Sequence, residues 1–382
     1  MTQPCRPLIE VLAEIPDPRQ ARGKRYPLVA VLALACAAML CGYRSYSAIA
    51  EWGDNYGSAL LRDLGFARAT APCAATLYLI FRRLDRGAVD AALGRWAEGV
   101  LADLPTPRGA FEGVACDGKT LRGSRKQGAP GTHLLSAVSH RLGLTVAQEA
   151  VEEKTNEIGA LPAVLGHLLL AGRVITLDAL LTQRVIAQTI VDGQGDYVMV
   201  AKENQPHVCQ GIAGVLATPP HVPGVTSLRT AQTRDCGHGR VERRRLVARA
   251  LLPGDSDWPG ARQVFRIERQ RVCQKTGEIN TEATYGITSL AAAQASPRQL
   301  LALLRGHWHL ENKAHWVRDV TFDEDRSQVR VGAIPQVMAA LRNTAIGLLR
   351  AAGATNIAAA TRYYAAQPAQ ALALLGLPPR TK

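Results

Sequence analysis

Two aspartates follow short apolar runs of the kind that form buried strands. Asp117 comes directly after GVAC, and Asp178 comes directly after VITL. Neighbouring strand ends in an α/β sheet converge on one crevice, where ligands bind. A carboxylate at a strand end often caps a helix instead, but two such sites with sheet-like segments between them make capping a weaker explanation. The pair therefore predicts a carboxylate site at one edge of a sheet.

A third acid is expected from the run Arg305 to Arg330, which mixes carboxylates, basic side chains, histidines and tryptophans. Within this run Glu311, His315 and Asp319 are spaced four residues apart, which places them near one face of an α-helix. Carboxylates suit Mg²⁺, which prefers oxygen ligands and keeps positions for water and phosphate. Two such ions, about 3.5 to 4 Å apart, activate an attacking oxygen and stabilise a leaving one. The expected chemistry is phosphodiester cleavage with two Mg²⁺ ions, for which Mn²⁺ can substitute.

Zinc bound by His307, His309 and His315 is the alternative interpretation of this run. No cysteine lies nearby in the sequence, and zinc sites in proteins commonly include cysteine. Histidine pairs of the HxH type also commonly contact phosphate. We therefore favour magnesium.

Basic side chains accompany the acids. Lys119 and Arg122 follow Asp117 and could hold phosphates that the carboxylates would otherwise repel, although a solvated turn has the same composition. The island DCGHGRVERRR carries His238 and Arg240 after a glycine and is a candidate clamp on a DNA backbone. A flexible charged hairpin is its alternative.

The composition agrees with a polyanionic partner. The 382 residues include 45 Lys and Arg against 32 Asp and Glu, which gives a net charge of +13. Net charge alone is a weak signal. The eight cysteines are scattered without a CxxC pair, which argues against a disulfide framework and is typical of reduced cytoplasmic thiols. The apolar run from Pro27 to Cys41 is too short to cross a bilayer and is expected to be a buried helix.

The elements that must position these residues fall into four predicted segments. Residues 1–104 read as an N-terminal helical, DNA-binding domain that ends in a Pro-rich linker. In it, a short helix from Ala74 to Leu84 places Arg82 and Arg83 as in a helix-turn-helix reader. An ordinary amphipathic helix with solvated arginines is the alternative.

Residues 110–204 alternate strands and helices, which predicts an α/β core with a mixed sheet. Residues 205–290 predict a β-rich antiparallel insertion. Residues 291–382 return to helices and carry the third acid. The predicted elements of the core are strands 113–117, 134–140, 145–151, 174–177 and 197–201, and helices 157–171 and 182–192.

Several long motifs in one order resemble the DDE transposases of bacterial insertion sequences, in particular the H-repeat-associated branch. They cover nearly the whole chain and include PDPRQARGKRYPL, RSYSAIAEW, ACDGKTLRGS, ITLDALLTQ, GDYVMVAKENQP, TRDCGHGRVERR and RGHWHLENKAHWVRDVTFDEDRSQVR.

The resemblance implies an RNase H-like mixed sheet with flanking helices, in which Asp117, Asp178 and Glu311 form the metal-binding DDE triad. The β-rich insertion then separates the second acid from the third. Leu304, His307 and Arg318 stand where related enzymes carry Tyr, Arg and Lys around the last acid. Leu181 stands where relatives usually carry His.

The resemblance also implies a bacterial, nucleoid-associated enzyme that binds double-stranded DNA, both its own transposon ends and target DNA, as a homodimer without a membrane. Trp308 is expected to stack on a base or, equally, to anchor a core; stacking on an aromatic is worth about 1 to 3 kcal/mol. An RNase H-like nuclease and a catalytically silent DNA-binding relative are the rival functions. The expected DNA contacts are Lys119, Arg122, Lys202, His238, Arg240, Arg305, His307, Trp308, Arg318, Arg82 and Arg83.

Overall fold

The structure, a computed structural model, describes most of the chain, except for short gaps and the side chains of Glu311 and Asn312. The described ranges are 6–68, 70–105, 110–126, 130–151, 157–219, 226–237 and 239–377. Contacts divide the chain into two units that interleave along the sequence. The first unit contains Met1–Pro105, Gly118–Ala160 and Leu310–Lys382, and the second contains Thr106–Asp117 and Leu161–His309.

Helices and strands alternate through the middle of the chain and leave helices at both ends. The strands are β1 (Glu112–Thr120), β2 (His133–Ser139), β3 (Thr145–Val151), β4 (Arg173–Leu177), β5 (Asp196–Ala201), β6 (Arg229–Gly237), β7 (Arg240–Ala250), β8 (Gln263–Cys273) and β9 (Ile279–Thr288). The helices are α1 (Leu8–Ala13), α2 (Leu28–Leu40), α3 (Tyr46–Asn55), α4 (Gly57–Asp63), α5 (Ala74–Phe81), α6 (Arg86–Asp103), α7 (Glu157–Gly166), α8 (Arg184–Asp192), α9 (Pro206–Ala217), α10 (Pro297–Leu310), α11 (Ile334–Ala351), α12 (Ile357–Ala366) and α13 (Pro368–Leu374).

The first unit is built around α2, which is buried along its length. A helix that is apolar all round has no solvated face to offer, so the expectation of a buried helix here is confirmed. α11 packs on α2, α6 and β3, which joins the C-terminal helices to the N-terminal ones. Among the described residues, no helix has both the length and the apolar character that a membrane span requires.

Side-chain caps fix the starts of two N-terminal helices. Ser45 accepts a hydrogen bond from the Ala48 amide at 3.2 Å, and Asp85 accepts one from the Ala88 amide at 3.1 Å. Such caps satisfy amides that lack a partner inside the helix. α5 ends at Phe81, earlier than predicted, so that Arg82 and Arg83 follow it as exposed residues.

The second unit contains a mixed sheet in the order β1-β4-β5-β9-β8-β7-β6. β1, β4 and β5 are parallel, whereas β5, β9, β8, β7 and β6 pair antiparallel. The predicted mixed α/β sheet is therefore confirmed. The antiparallel strands expected between residues 205 and 290 are also present. Because β9 pairs with β5, they extend the same sheet.

Two helices of this region, α7 and α8, differ from their predicted bounds, and α8 begins at Arg184 rather than at residue 182. α7 ends at Gly166 rather than at residue 171, and glycine is a weak helix former. α9 was not predicted, and it begins at Pro206, whose fixed φ suits the first helical position. The four predicted segments do not coincide with the two contact units, and their boundaries stay predictions.

The core of the second unit lies between the sheet and α10. Leucines along α10 meet apolar residues of β4, β5, β7 and β8. The buried members of this cluster include Val174, Val198, Val200, Leu246, Phe265, Ile267, Leu300, Leu301 and Leu304.

The helix changes geometry at the third candidate acid. After α10, the chain continues as π-helix over Glu311–His315 and Val317–Thr321. A π-helix bonds residue i to i+5 rather than to i+4, so each of its turns holds more residues than an α-helical turn does. The segment that carries Glu311, His315 and Asp319 is therefore π-helical rather than the α-helix that their spacing predicted.

Candidate active site

Asp117 and Asp178 lie beside each other at one edge of the sheet in the second unit. Cys116 in β1 is the register partner of Leu177 in β4, and each aspartate is the next residue. Paired strands lie about 4.8 Å apart, and both aspartates are half-buried. The two carboxylates therefore project from adjoining positions on parallel neighbours.

The Asp178 carboxylate is held by the turn that follows it. Its Oδ1 accepts hydrogen bonds from the amides of Leu180 at 3.1 Å and Leu181 at 3.0 Å. The Thr182 hydroxyl lies 2.7 Å from both the Asp178 and the Val200 carbonyl oxygens, which fixes the turn to β5. Within the described part of the chain, Oδ2 accepts no hydrogen bond. One oxygen thus organises the turn, and the other is left for a ligand.

A cleft of about 310 Å³ opens beside Asp178. Lys202, Arg269 and Arg271 bring positive charge to it, and Glu282 lies 3.7 Å from both Lys202 and Arg271. The cleft is lined by Asp178, Ala179, Val200, Lys202, Ile267, Arg269, Arg271, Glu282, Thr284, His307 and Trp308.

His307 lines this cleft with an uncharged imidazole. Its Nδ1 lies 3.1 Å from Oγ1 of Thr176, within hydrogen-bond distance. Burial lowers the pKa of His307, and the charge of Asp178 opposes that effect only in part. The imidazole can exchange a hydrogen bond with a phosphate but adds no positive charge at neutral pH.

Trp308 was expected either to stack on a base or to anchor a core, and its surroundings are compatible with both roles. Its ring is partly buried and packs against the apolar cluster of the second unit. It also lines the cleft, where the Arg269 guanidinium lies 5.5 Å from the ring centroid. The ring therefore anchors α10 and presents a surface to the cleft, and stacking on a base stays a prediction.

Carboxylates pair with the arginines on the cleft side of the antiparallel strands. Glu242 pairs with Arg244 at 2.8 Å, with Arg271 at 3.7 Å and with Arg269. Asp235 pairs with Arg305 at 3.1 Å and with Arg244. Burial lowers the pKa of Arg244, and Asp235 opposes this shift. Arg305, a predicted DNA contact, is therefore held by a carboxylate partner.

The island around the β6–β7 hairpin is described only in part. Arg240 is exposed at the first position of β7, after Gly239 with a φ of +70°. His238 lies outside the described residues.

Three predicted basic residues of the first unit have different surroundings. Lys119 is nearly buried, and its Nζ lies 2.7 Å from Asp319. The Arg122 side chain is 79% exposed and lies 3.6 Å from Asp325. The Arg318 side chain is only 2% exposed and pairs with Glu324 at 2.8 Å. This enclosure favours a framework role for Arg318 over direct contact with phosphate.

Glu311, the predicted third acid, lies in the first unit. Its backbone is π-helical, and its side chain is outside what the structure describes. Among the described side chains, no three His, Cys, Asp or Glu residues form a group that could hold a metal ion. Burial, together with Arg318 and Lys119, lowers the pKa of His315 to about 3, so this imidazole is neutral.

Several cleft residues were not singled out from the sequence. Arg269 and Arg271 are alternate residues of VFRIERQRV, on the same side as Ile267. Strand alternation places such residues on one face, so this pattern was the available signal. Thr176 carried no comparable signal, since it is an ordinary strand residue beneath His307.

Comparison with known proteins gives two family matches. Residues 108–348 match the family described as Transposase DDE domain, and residues 9–97 match the family described as DDE_Tnp_1-associated.

Two relatives from Escherichia coli are similar over most of their length. "Putative transposase YncI" of strain O157:H7 is 28% identical over 355 residues, which cover 90% of this chain and 87% of the relative. "H repeat-associated putative transposase YhhI" of strain K12 is 28% identical over 357 residues, covering 90% of each.

A solved structure described as "Cryo-EM structure of piggyBac transposase synaptic complex with hairpin DNA (SNHP)" aligns with 10% identity and a TM-score of 0.43. The alignment covers 95% of this chain and 78% of that one. This similarity is too low to support a conclusion about the present chain. The family match over 108–348, by contrast, spans more than half of the residues and confirms the resemblance found in the motifs. The chain belongs to the DDE transposase family.

Proposed function

We propose that this transposase binds the terminal inverted repeats of its own insertion sequence and cuts and joins DNA at Asp117, Asp178 and Glu311. The observation that carries the proposal is the position of Asp117 and Asp178 after register partners of two parallel strands. Two acids at adjoining positions of neighbouring parallel strands support an RNase H-like core, although Asp117 lies within β1, which runs on to Thr120, and only Asp178 follows the end of its strand. Glu311 is the third acid that the family motif supplies.

The donor set fits hard divalent cations. Oδ2 of Asp178 accepts no hydrogen bond within the described residues, and its other oxygen is already fixed by two amides. Oxygen donors of this kind suit Mg²⁺, with Mn²⁺ as a substitute. When bound, two such ions supply an activated water and stabilise the leaving oxygen. Asp117, Asp178 and Glu311 would hold them.

The remaining side chains of the cleft suit a nucleic-acid substrate. The cleft lining carries three positive charges, on Lys202, Arg269 and Arg271, against two negative ones, on Asp178 and Glu282, and this excess favours the phosphate backbone. The exposed part of the Trp308 ring offers a surface for a base. His307 is neutral and can hold a phosphate oxygen by a hydrogen bond without changing the charge of the site.

Two chemical steps follow in the proposed reaction. Water first breaks a phosphodiester at the transposon end, which releases a 3′-OH and a phosphate-bearing end. The 3′-OH then attacks a phosphodiester, either in the opposite strand or in target DNA, and displaces another 3′ oxygen. Two copies of the chain bring two ends together.

The first test is cleavage of DNA that carries the ends of the element encoding this chain. Asp117→Asn and Glu311→Gln should each abolish Mg²⁺-dependent cleavage and leave binding, measured by mobility shift, largely intact. Asp257→Asn, which alters an 89% exposed carboxylate of the second unit, is the matched control and should cleave normally. Persisting cleavage in the first two variants would refute the triad.

A strand-transfer assay with a pre-cut end and a target plasmid separates a transposase that joins ends from a nuclease that stops at hydrolysis. Joined products are expected from the wild-type chain. Hydrolysis without joining would support the nuclease alternative, and binding without either reaction would support a silent relative.

A further inference from the structure

Three exposed arginines lie together on strands β6 and β7, on the side of the sheet that does not line the Asp178 cleft. Arg234 is the register partner of Arg243, and Arg243 pairs in turn with Gln270 of β8. Arg245 is flanked in the same way by Gln232 and Glu268. These residues form two rows across three strands. We refer to Arg234, Arg243 and Arg245 with Gln232 and Gln270 as the arginine face.

Strand alternation separates this face from the cleft. In β8, Ile267, Arg269 and Arg271 line the Asp178 cleft, whereas Glu268 and Gln270 line a different, open groove of about 450 Å³. Successive side chains of a strand point to opposite faces. The arginine face therefore cannot contact the same stretch of DNA backbone as the cleft does.

The arginine face lacks the carboxylates that neutralise the cleft side. Glu268, the acid of the groove, is engaged by Arg266 at 3.0 Å. Among the residues that the structure describes, no carboxylate lies within 4.0 Å of Arg234, Arg243 or Arg245. Like charges placed directly opposite each other across two strands destabilise a sheet. Arg234 and Arg243 have this arrangement, and a bound anion would relieve it.

We propose that the arginine face binds the phosphate backbone of a second DNA duplex, separate from the segment that reacts at Asp178. This proposal rests on the proposed function, which requires both a transposon end and a target. Guanidinium groups bind phosphate oxygens through two parallel hydrogen bonds. The Gln232 and Gln270 amides add further donors.

The spacing and composition of the groove favour duplex DNA. Arg243 and Arg245 are two residues apart on one strand, about 6.8 Å, so their guanidinium groups can contact different phosphates of one DNA backbone. The groove is lined by Gln232, Thr233, Arg234, Arg243, Arg244, Arg245, Glu268 and Gln270. None of these is aromatic, so the groove offers no platform for a base. The contact is therefore to the backbone and independent of sequence, as a target duplex requires.

The test is the salt dependence of binding to a random-sequence duplex by the full chain. The triple variant Arg234→Gln, Arg243→Gln, Arg245→Gln removes three phosphate contacts and keeps hydrogen-bonding side chains. Each contact contributes about 0.9 to the slope of log affinity against log salt. The slope should become shallower by about 2.7, so the loss of affinity between about 50 and 200 mM salt should be about 40-fold smaller than for the wild-type chain.

The matched control removes the same charge elsewhere. Arg62→Gln, Arg298→Gln, Arg362→Gln changes three exposed arginines that line neither groove. The slope of log affinity against log salt for this control should differ from the wild-type slope by less than the value of one phosphate contact, about 0.9. Equal slopes in the two triple variants would overturn the proposal. The proposal would also be overturned if the arginine-face triple variant kept duplex binding but lost self-association. That result would make the arginine face an interface between copies of this chain.

Cleavage assays distinguish this proposal from the proposed function. The arginine-face variant should cut its own ends with Mg²⁺ at the wild-type rate and lose at least about tenfold in joining to target DNA. If the wild-type chain cuts no end but the slope difference holds, the proposed function fails and the surface stands. If the wild-type chain cuts its ends and the arginine-face variant keeps the wild-type salt slope, the arginine-face proposal is wrong and the proposed function is unaffected.

Discussion

The Asp178 cleft and the cluster around Glu324 both place a carboxylate among basic side chains, but they do so in opposite ways. Glu324 is 1% exposed and is paired with Arg318 at 2.8 Å and with Arg342 at 3.1 Å. Asp178 is half-buried, beside an open cleft, and hydrogen-bonds to amides of its own turn. The two acids differ in how many cations contact the carboxylate: two arginines enclose Glu324, whereas Asp178 lines an open cleft.

The pKa of Glu324 reflects the same contrast. Burial by itself raises the pKa of this carboxyl, but the charges of Arg318 and Arg342 outweigh burial and lower it. A folded-state pKa below the unfolded value contributes stability that is present above the unfolded pKa and is lost as pH falls. The stability that the ionised Glu324 carboxylate contributes should therefore be lost at acidic pH.

The largest expected effect comes from changing the open carboxylate. Asp178→Asn should reduce end cleavage by more than about a hundredfold, since even groups that only support metal ligands contribute about 10- to 100-fold. The amide oxygen can still accept from Leu180 and Leu181, so the free energy of unfolding should change by less than about 1 kcal/mol. Cleavage rates and urea unfolding of the same preparation measure both effects. A large loss of stability would make Asp178 a framework residue and erase the contrast.

The opposite result is expected for the enclosed carboxylate. Glu324→Gln leaves Arg318 and Arg342 buried without a counter-charge and should lower the free energy of unfolding by about 3 to 5 kcal/mol. Asp323→Asn is the matched control in the same turn. Its carboxylate is 40% exposed, and asparagine tolerates the left-handed φ of +52° found there, so the change should stay below about 1 kcal/mol. Equal effects of the two substitutions would contradict the assignment.

A third carboxylate sharpens the comparison because no arginine of the described residues lies within 4.0 Å of it. Asp90 in α6 accepts hydrogen bonds from the side-chain amides of Gln336 and, at 3.3 Å, of Gln148. Burial raises its pKa to about 7; Gln336 and Gln148 oppose this shift, as does the charge of Arg86, while Glu149 reinforces it.

Because the folded-state pKa of Asp90 lies above the unfolded value of about 3.9, the folded chain holds a proton that the unfolded chain releases. Stability should therefore fall as pH rises from about 4 to about 7, by at most about 1.4 kcal/mol per pH unit. Asp90→Asn should remove this slope. Urea unfolding at several pH values in that window measures it, and an unchanged slope in the variant would assign the dependence to other groups.

Local sequence patterns were sufficient to predict the elements whose formation depends on neighbouring residues. The apolar runs before Asp117 and Asp178 predicted β1 and β4, because a buried parallel strand is apolar along its length. The same reasoning predicted α2 from its uniform hydrophobicity. These features depend on residues within a few positions of each other.

Features that depend on distant partners escaped prediction. Arg318 looked like a phosphate contact because it lies in a basic, acidic and aromatic run, but its burial depends on Glu324 and on Arg342, a residue 18 positions after that acid. The pairing of β9 with β5 is likewise non-local. No proline or glycine within 311–321 signals the π-helix, so the spacing of Glu311, His315 and Asp319 was taken as α-helical.

The π-helical stretch that begins at Glu311 also affects how this helix can be transplanted. A turn closed by i to i+5 bonds holds one residue more than a turn closed by i to i+4 bonds. An alignment or a designed scaffold that treats residues 297–321 as one regular helix will therefore rotate the positions after Leu310 out of phase with His307 and Trp308. Grafting this segment onto another protein requires keeping the surplus residues of both π-helical stretches, and deleting one of them would shift the residues that follow it without changing any side chain.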